Sequence, residues 1–297
     1  MKQKEITIIS GKGGTGKTSI TASFAVLSKR CVIADCDVDA PNMHILLNPQ
    51  EIEEEFFFGE KKAKIIIEKC TLCGSCLNLC TFNAIEETIK NGKFQLFINP
   101  FVCDGCGICY KFCPLSAIEF NNVESAHLVT SKTTYGPIIY AKMETGSGNS
   151  GKLVYKIKEK AREMAKKENL DVILVDGPPG IGCPVISSIS GSSIAIVVTE
   201  PTLSAIGDLK RIIELLFRFK VKTGVIINKY DLNTRISSDV QVFCEKNKLC
   251  FLGKIPYDPI IPKIQSDKLT PVEVEGKSSK EIKSIYEKFL KIFCKED

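Results

Sequence analysis

Gly11-Lys12-Gly13-Gly14-Thr15-Gly16-Lys17-Thr18 fits G-x-x-x-x-G-K-[ST], the pattern of a phosphate-binding loop. Ile6-Thr7-Ile8-Ile9, just before it, is apolar and β-branched and reads as a buried strand. Thr18 to Lys29, just after it, carries Ile20, Phe24 and Leu27 at helical spacing. In that strand–loop–helix context, the backbone N–H groups of Gly13, Gly14, Thr15, Gly16, Lys17, Thr18 and Ser19 would converge on phosphate oxygens. Lys17 would reach the β- and γ-phosphates, and Thr18 would bind Mg²⁺.

Working outward, Val32-Ile33-Ala34 is a short strand that ends in the carboxylates Asp35 and Asp37. Asp171-Val172-Ile173-Leu174-Val175-Asp176-Gly177-Pro178-Pro179-Gly180 is a second apolar strand, and Asp176 at its end is placed to hold Mg²⁺ through water. Gly177 and Gly180 lie where a γ-phosphate would be sensed. Further strands are expected at 126–129, 137–140, 193–199, 223–227 and 251–255. Helices are expected at about 152–168 and 204–219, the first preceded by a glycine/serine turn from Gly146 to Gly151. This alternation predicts an α/β fold, a mostly parallel sheet with helices on both faces. Glu51 to Lys64, with Phe56-Phe57-Phe58, reads as a connector, and His127 as a structural histidine.

Fourteen cysteines are the compositional outlier in 297 residues. Eight of them form two runs, Cys70-x₂-Cys73-x₂-Cys76-x₃-Cys80 and Cys103-x₂-Cys106-x₂-Cys109-x₃-Cys113-Pro114. Each matches the bacterial ferredoxin spacing, so two [4Fe–4S] clusters are expected. Three cysteines wrap one corner of a cubane, and the fourth is aimed at the other cluster. Cys70, Cys73, Cys76 and Cys113 would then hold one cluster, and Cys103, Cys106, Cys109 and Cys80 the other. Phe82-Asn83-Ala84-Ile85-Glu86 echoes Leu115-Ser116-Ala117-Ile118-Glu119, which supports duplication, although Thr81 stands where the second half has Pro114. A pair of zinc sites is the competing reading, but zinc favours separated C-x₂-C pairs. Cys31, Cys36, Cys244, Cys250 and Cys294 have no ligand spacing.

Hydrophobic content of 44% and charged content of 25% are ordinary for a globular protein, and the net charge of +5 is spread without a nucleic-acid footprint. The chain runs straight into a strand, with no signal peptide and no apolar run of spanning length, so a cytoplasmic location is expected. The segment from Ser278 to Lys295 is amphipathic through Ile282, Ile285, Phe289 and Ile292-Phe293, and reads as docked on its own core rather than on a membrane.

Lys12-Gly13-Gly14-Thr15-Gly16-Lys17-Thr18 resembles the deviant loop of the MinD/ParA/Mrp family of P-loop ATPases, over roughly residues 1–60 and 122–297. The resemblance implies a SIMIBI/MinD-type P-loop NTPase domain at 1–63 and 122–297 that binds ATP or ADP with Mg²⁺. The inserted α+β bacterial-ferredoxin-like domain would occupy 64–121. It implies a homodimer in which Lys12 reaches the partner's nucleotide, and a catalytic set of Lys12, Lys17 and Asp37. Asp37 would position the hydrolytic water and join Thr18 and Asp176 at the Mg²⁺ site. Asn228 matches the adenine-reading position, and the loop with Pro256 and Asp258 would pack on the base. Lys229 and Asp231 also resemble the N-K-x-D of GTPases, which leaves guanine open. Cys183 sits where the nitrogenase iron protein carries a cysteine for a cluster shared between subunits, but the second such cysteine has no counterpart; a small buried residue is the alternative. Three roles follow: ATP-gated electron transfer to a partner metalloprotein, iron–sulfur or metallocofactor assembly and carriage, and MinD-like positioning with structural clusters. A redox or cofactor-assembly protein is the expected partner.

Overall fold

The computed structural model describes residues 3–90, 92–144, 147–148 and 150–294. Of the expected turn at 146–151, Gly146 and Asn149 lie outside the described residues, as does Lys295 at the end of the amphipathic segment. The strands are β1 Lys4–Ser10, β2 Val32–Asp35, β3 Glu51–Phe57, β4 Glu60–Ile65, β5 Ile85–Lys90, β6 Lys93–Ile98, β7 Ile118–Val123, β8 Ala126–Thr133, β9 Gly136–Met143, β10 Val172–Pro179, β11 Ile194–Thr199, β12 Lys222–Asn228 and β13 Cys250–Ile255. The helices are α1 Lys17–Ser28, α2 Met43–Leu47, α3 Ser75–Leu79, α4 Ile108–Lys111, α5 Ser150–Lys167, α6 Cys183–Ile189, α7 Ala205–Arg218, α8 Thr234–Lys246, α9 Ile261–Ser266 and α10 Lys277–Phe289. Two compact units emerge. One is Met1–Glu54, Leu128–Lys142 and Ser150–Asp297; the other is Glu55–His127 and Met143–Asn149.

In the first unit the sheet order is β13-β12-β11-β1-β10-β2-β9-β8-β3. The pairs from β13 to β9 are parallel. Parallel strands are covered on both faces, which is why β11 is apolar up to its last residue, Thr199, with all six residues buried. Alternation divides each strand between two cores. Ile8, Ile196 and Ile226 pack with Phe24 of α1 and with Ile282, Ile285 and Phe289 of α10. Ile9, Val197 and Ile227 pack on the other face with Leu209, Ile212 and Leu216 of α7. The amphipathic stripe of α10 is therefore consumed by the core. Among the described residues, no helix is long and apolar enough to cross a membrane.

The connector expected over Glu51 to Lys64 is instead strand β3 followed by β4. Its acidic run disguised the strand, but β3 is at the sheet edge, where charged side chains are tolerated.

A buried ion network ties β1, α5 and α6 together. The Lys158 ammonium, 1% exposed, lies 2.7 Å from Glu5 Oε1. It also donates to the carbonyls of Ser187, Ser188 and Ser190 at the end of α6. Burial lowers the Lys158 pKa, against the pull of Glu5. Lys158→Met is expected to cost about 3 kcal/mol, because it strands these acceptors and half of the Glu5 pairing. Urea denaturation checks this; a loss under about 1 kcal/mol would show the network to be dispensable.

The second unit is a duplicated structure. Antiparallel β4–β7 and β5–β6 form two small sheets. The halves repeat each other's backbone: Gly74 (φ 75°) matches Gly107 (φ 73°), Leu72 (φ 59°) matches Gly105 (φ 73°), and Asn83 (φ 52°) matches Ser116 (φ 49°). Among the described residues, the core cluster is Ala63, Ile65, Ile85, Leu96, Ile98 and Ile118, with Cys70, Cys76, Cys80, Cys103, Cys109 and Cys113 packed around it. So few buried apolar side chains leave a unit of this size short of hydrophobic stabilisation, the situation in which small domains add a metal centre.

Candidate functional site

The glycine loop leaves β1 at Ser10 and enters α1 at Lys17. Gly14 and Gly16 adopt φ of 78° and 85°, a left-handed backbone that turns the loop toward the helix. At Gly16 a side chain would also strike the Asn228 amide. The Asn228 Nδ2 donates to Thr15 O at 2.8 Å, and its Oδ1 accepts from Lys229 N at 3.0 Å. Asn228 thus braces the loop, keeping one amide hydrogen and one lone pair for a ligand.

Lys17, Thr18, Asp37 and Asp176 converge from α1, from the segment after β2, and from β10. Lys17 Nζ donates to Asp37 Oδ2 at 3.2 Å and lies 3.5 Å from Asp176 Oδ2. Thr18 Oγ1 donates to Asp176 Oδ2 at 2.7 Å. Thr21, one helical turn on, donates to Asp176 Oδ1 at 2.9 Å. Burial alone would depress the Lys17 pKa, but Asp176, Asp37 and Asp35 outweigh it and raise it. Asp35 is fully buried and accepts from the Asp37 and Met43 N–H groups. Burial, then repulsion from Asp176, pushes its pKa up to about 8. Burial also raises that of Asp37. The site therefore concentrates acid around one ammonium, a donor set suited to a hard divalent cation.

Around these groups opens a cleft lined by Gly13 to Ser19, by Asp37 and Asp39, by Pro178 and Pro179 at the end of β10, and by Gly182 and Pro184 beyond it. A second cavity of about 710 Å³ shares Gly14, Gly16 and Ser19 with it and is lined by Asn228, Lys229, Pro256, Tyr257 and Asp258. The two share lining residues of the glycine loop; Asp37 and Asp39 line the first, and apolar Ile20, Ile255 and Ile261 the second. The sequence candidates Asn228, Pro256 and Asp258 are thus gathered in one place. Asp231 does not line it; its carboxylate accepts from Tyr257 N at 2.6 Å and anchors that loop.

Lys12 is held within the chain, its ammonium 2.7 Å from Glu200 Oε1. Glu200 also binds Lys229 Nζ at 3.1 Å, and Lys229 donates to Gly14 O at 2.9 Å. Glu200 is half-buried, which works against ionisation, but Lys12 and Lys229 outweigh this and lower its pKa. Neither Glu200 nor Thr21 is among the candidates that the sequence motifs single out. Helical spacing from Lys17 could have found Thr21; Glu200 carried no signal. Cys183 is exposed at the start of α6, not buried.

In the second unit, Cys70, Cys73, Cys76 and Cys113 line one small cavity with Ile65, Leu96 and Ile118. Cys103, Cys106 and Cys109 lie in the equivalent loop before and within α4, with Cys80 after α3. Equivalent N–H groups, those of Ala84 and Ala117, donate to Cys80 Sγ and Cys113 Sγ, each at 3.3 Å. Among the described residues, no three of these sulfurs fall within 4.8 Å of one another. His127 Nε2 lies 3.0 Å from Glu124 Oε1 and 3.4 Å from Glu144 Oε1.

The model of the CobQ/CobB/MinD/ParA nucleotide binding domain family matches residues 6–272. An uncharacterized protein of Methanocaldococcus jannaschii is 38% identical over 288 residues, 96% of this chain and 95% of the relative. An iron-sulfur cluster carrier protein of Pyrococcus abyssi is 23% identical over 280 residues, 87% of this chain and 77% of the relative. The solved cell division ATPase MinD of Pyrococcus furiosus is similar with a TM-score of 0.57 at 19% identity, covering 97% of this chain and 99% of that one. The likeness to MinD establishes the α/β fold.

Proposed function

This chain belongs to the CobQ/CobB/MinD/ParA nucleotide-binding family, and on that premise we propose that it is an ATP-hydrolysing iron–sulfur protein whose dimer switch gates electron transfer to a partner metalloprotein. The observation that carries the reading is the pairing, in one chain, of a phosphate cleft holding Lys17, Thr18, Asp37 and Asp176 with a four-cysteine cavity.

Thr18, Asp37 and Asp176 would hold Mg²⁺, which supplies positive charge at the phosphates. Lys17 would leave its carboxylate partners for the β- and γ-phosphate oxygens, and Asp37 would then be free to orient the attacking water. Lys12 would exchange Glu200 for the nucleotide of a second subunit, so ATP tightens a homodimer and hydrolysis releases it. One oxygen of Asp231 accepts from the Tyr257 backbone and the residue does not line the Asn228 cavity, which favours ATP over GTP.

The ferredoxin-type insert at 64–121 falls within the second unit. Its cysteines fit [4Fe–4S] better than zinc. Tetrahedral zinc with Zn–S of about 2.3 Å draws its sulfurs to roughly 3.8 Å of one another. Four cysteines in one run, present twice, suit a cubane cluster rather than the separated C-x₂-C pairs of zinc. Bound clusters would supply one-electron carriers.

Carriage of clusters is the second reading, favoured by the likeness to the Pyrococcus abyssi carrier. Those carriers use a C-x-x-C near the C-terminus. Here Cys244 and Cys250 are too far apart for that, and Cys244 is fully buried, its thiol pushed up to about 11 by burial. A MinD-like positioning role would leave the insert unused. One experiment separates these readings. Reconstituted protein is reduced with dithionite and mixed with an apo-acceptor, or with an oxidised metalloprotein, in the presence of ATP or GTP. Retained clusters oxidised only with ATP support gating; iron lost to the acceptor supports carriage; intact clusters indifferent to nucleotide leave the positioning role.

A further inference from the structure

We propose that Lys62 makes the two clusters unequal in potential, so that the one held by Cys103, Cys106, Cys109 and Cys80 is the easier to reduce. The inference rests on the iron–sulfur reading above. Duplication would by itself give two near-equivalent clusters; the ligand loops differ in charge at the exposed Asp104, which stands where the first run has Thr71, and through Lys62, whose ammonium is shielded from solvent.

Lys62 lies on β4, with its side chain 15% exposed. Its ammonium donates to Cys103 O at 2.7 Å, within the ligand loop itself. The loop is seated closely on β4: at Gly105 a side chain would overlap Lys61 O, so glycine permits the approach. Glu60 Oε2 is 3.1 Å from the same ammonium, and its other oxygen accepts from Gly148 N. The ammonium therefore touches the ligand loop directly, and the carboxylate engages it from Glu60, two residues back along the strand.

The two cysteine runs are offset by 33 residues, Cys70 to Cys103. That offset carries Lys62 onto Gln95 of β6, a neutral residue. The other lysines of this unit (Lys61, Lys64, Lys69, Lys90, Lys93 and Lys111) are exposed, so solvent and salt screen them. A half-buried charge is screened much less.

Reducing a [4Fe–4S] cluster adds one electron and one unit of negative charge, with dithionite as the electron donor in the test. An ammonium at the ligand loop favours that extra charge and raises the potential. At equilibrium the first electron would reside on the second cluster, giving electrons a direction through the unit.

The test is a dithionite titration of the reconstituted full chain followed by electron paramagnetic resonance. Cys70→Ser removes the first cluster and so identifies the signal of the second. Lys62→Gln, which copies the other half, should lower the reduced-to-oxidised ratio of the second cluster at fixed potential by about tenfold, roughly 59 mV for a one-electron couple. The first cluster should not move. Lys62→Arg should preserve the potential. Glu60→Gln, which unmasks the ammonium, should shift it the opposite way. Unchanged midpoints in Lys62→Gln, or equal shifts in both clusters, would overturn the proposal. Wild-type protein that takes up no iron would instead overturn the iron–sulfur reading beneath it.

Discussion

Lys17→Ala is expected to lower ATP turnover by about 10²- to 10³-fold, the scale for removing one preorganised group that meets developing charge. The geometry makes the loss larger than that of a surface lysine. Lys17 is 6% exposed, with Asp37 and Asp176 on its ammonium and Asp35 behind them. Without it, Asp37 and Asp176 face the place where phosphates must enter with no ammonium between them, and like-charge repulsion opposes binding as well as chemistry. Nucleotide affinity should therefore fall together with turnover. Single-turnover hydrolysis and titration with a fluorescent ATP analogue measure the two effects separately. Turnover within threefold of wild type would sink the assignment. Thr21→Val tests the support beneath: it frees one oxygen of Asp176 and should reduce turnover far less, because Thr18 still holds the other.

Cys113→Ser is expected to abolish the same cluster as Cys70→Ser, although the two residues belong to different runs. Iron should fall from about eight to about four atoms per chain in either variant, with one resonance signal lost and the other kept. Cys80→Ser should match Cys103→Ser in the same way. The cavity shared by Cys70, Cys73, Cys76 and Cys113 is the basis for the exchange. If Cys113→Ser removed the signal that Cys103→Ser removes, each run would hold its own cluster and the crossed assignment would be wrong. Loss of all iron in every single variant would point instead to one cooperative unit, consistent with its small core of six side chains but not with independent centres.

Features written in local spacing were readable from the chain alone. The glycine loop, the flanking strand and helix, the apolar runs of β10 to β13 and the repeated cysteine spacing each express a backbone periodicity or a ligand reach within a few residues. Charge misled where position mattered: the acidic stretch read as a connector is strand β3, acceptable because it lies at the edge of the sheet. Cys183, weighed as a small buried residue, is exposed at the start of α6.

By itself the sequence determined the parallel α/β frame, the phosphate loop and the duplicated cysteine unit. Only the tertiary structure decided which side chains meet. Sheet order places β1 between β10 and β11, and this brings Asp176 to Thr18 and Thr21. It also revealed that Glu200 holds Lys12, that Asp231 is committed to the Tyr257 backbone, and that Lys62 reaches the Cys103 loop. Such pairings depend on strand order and on how loops return, and these are long-range outcomes of packing that no local pattern encodes.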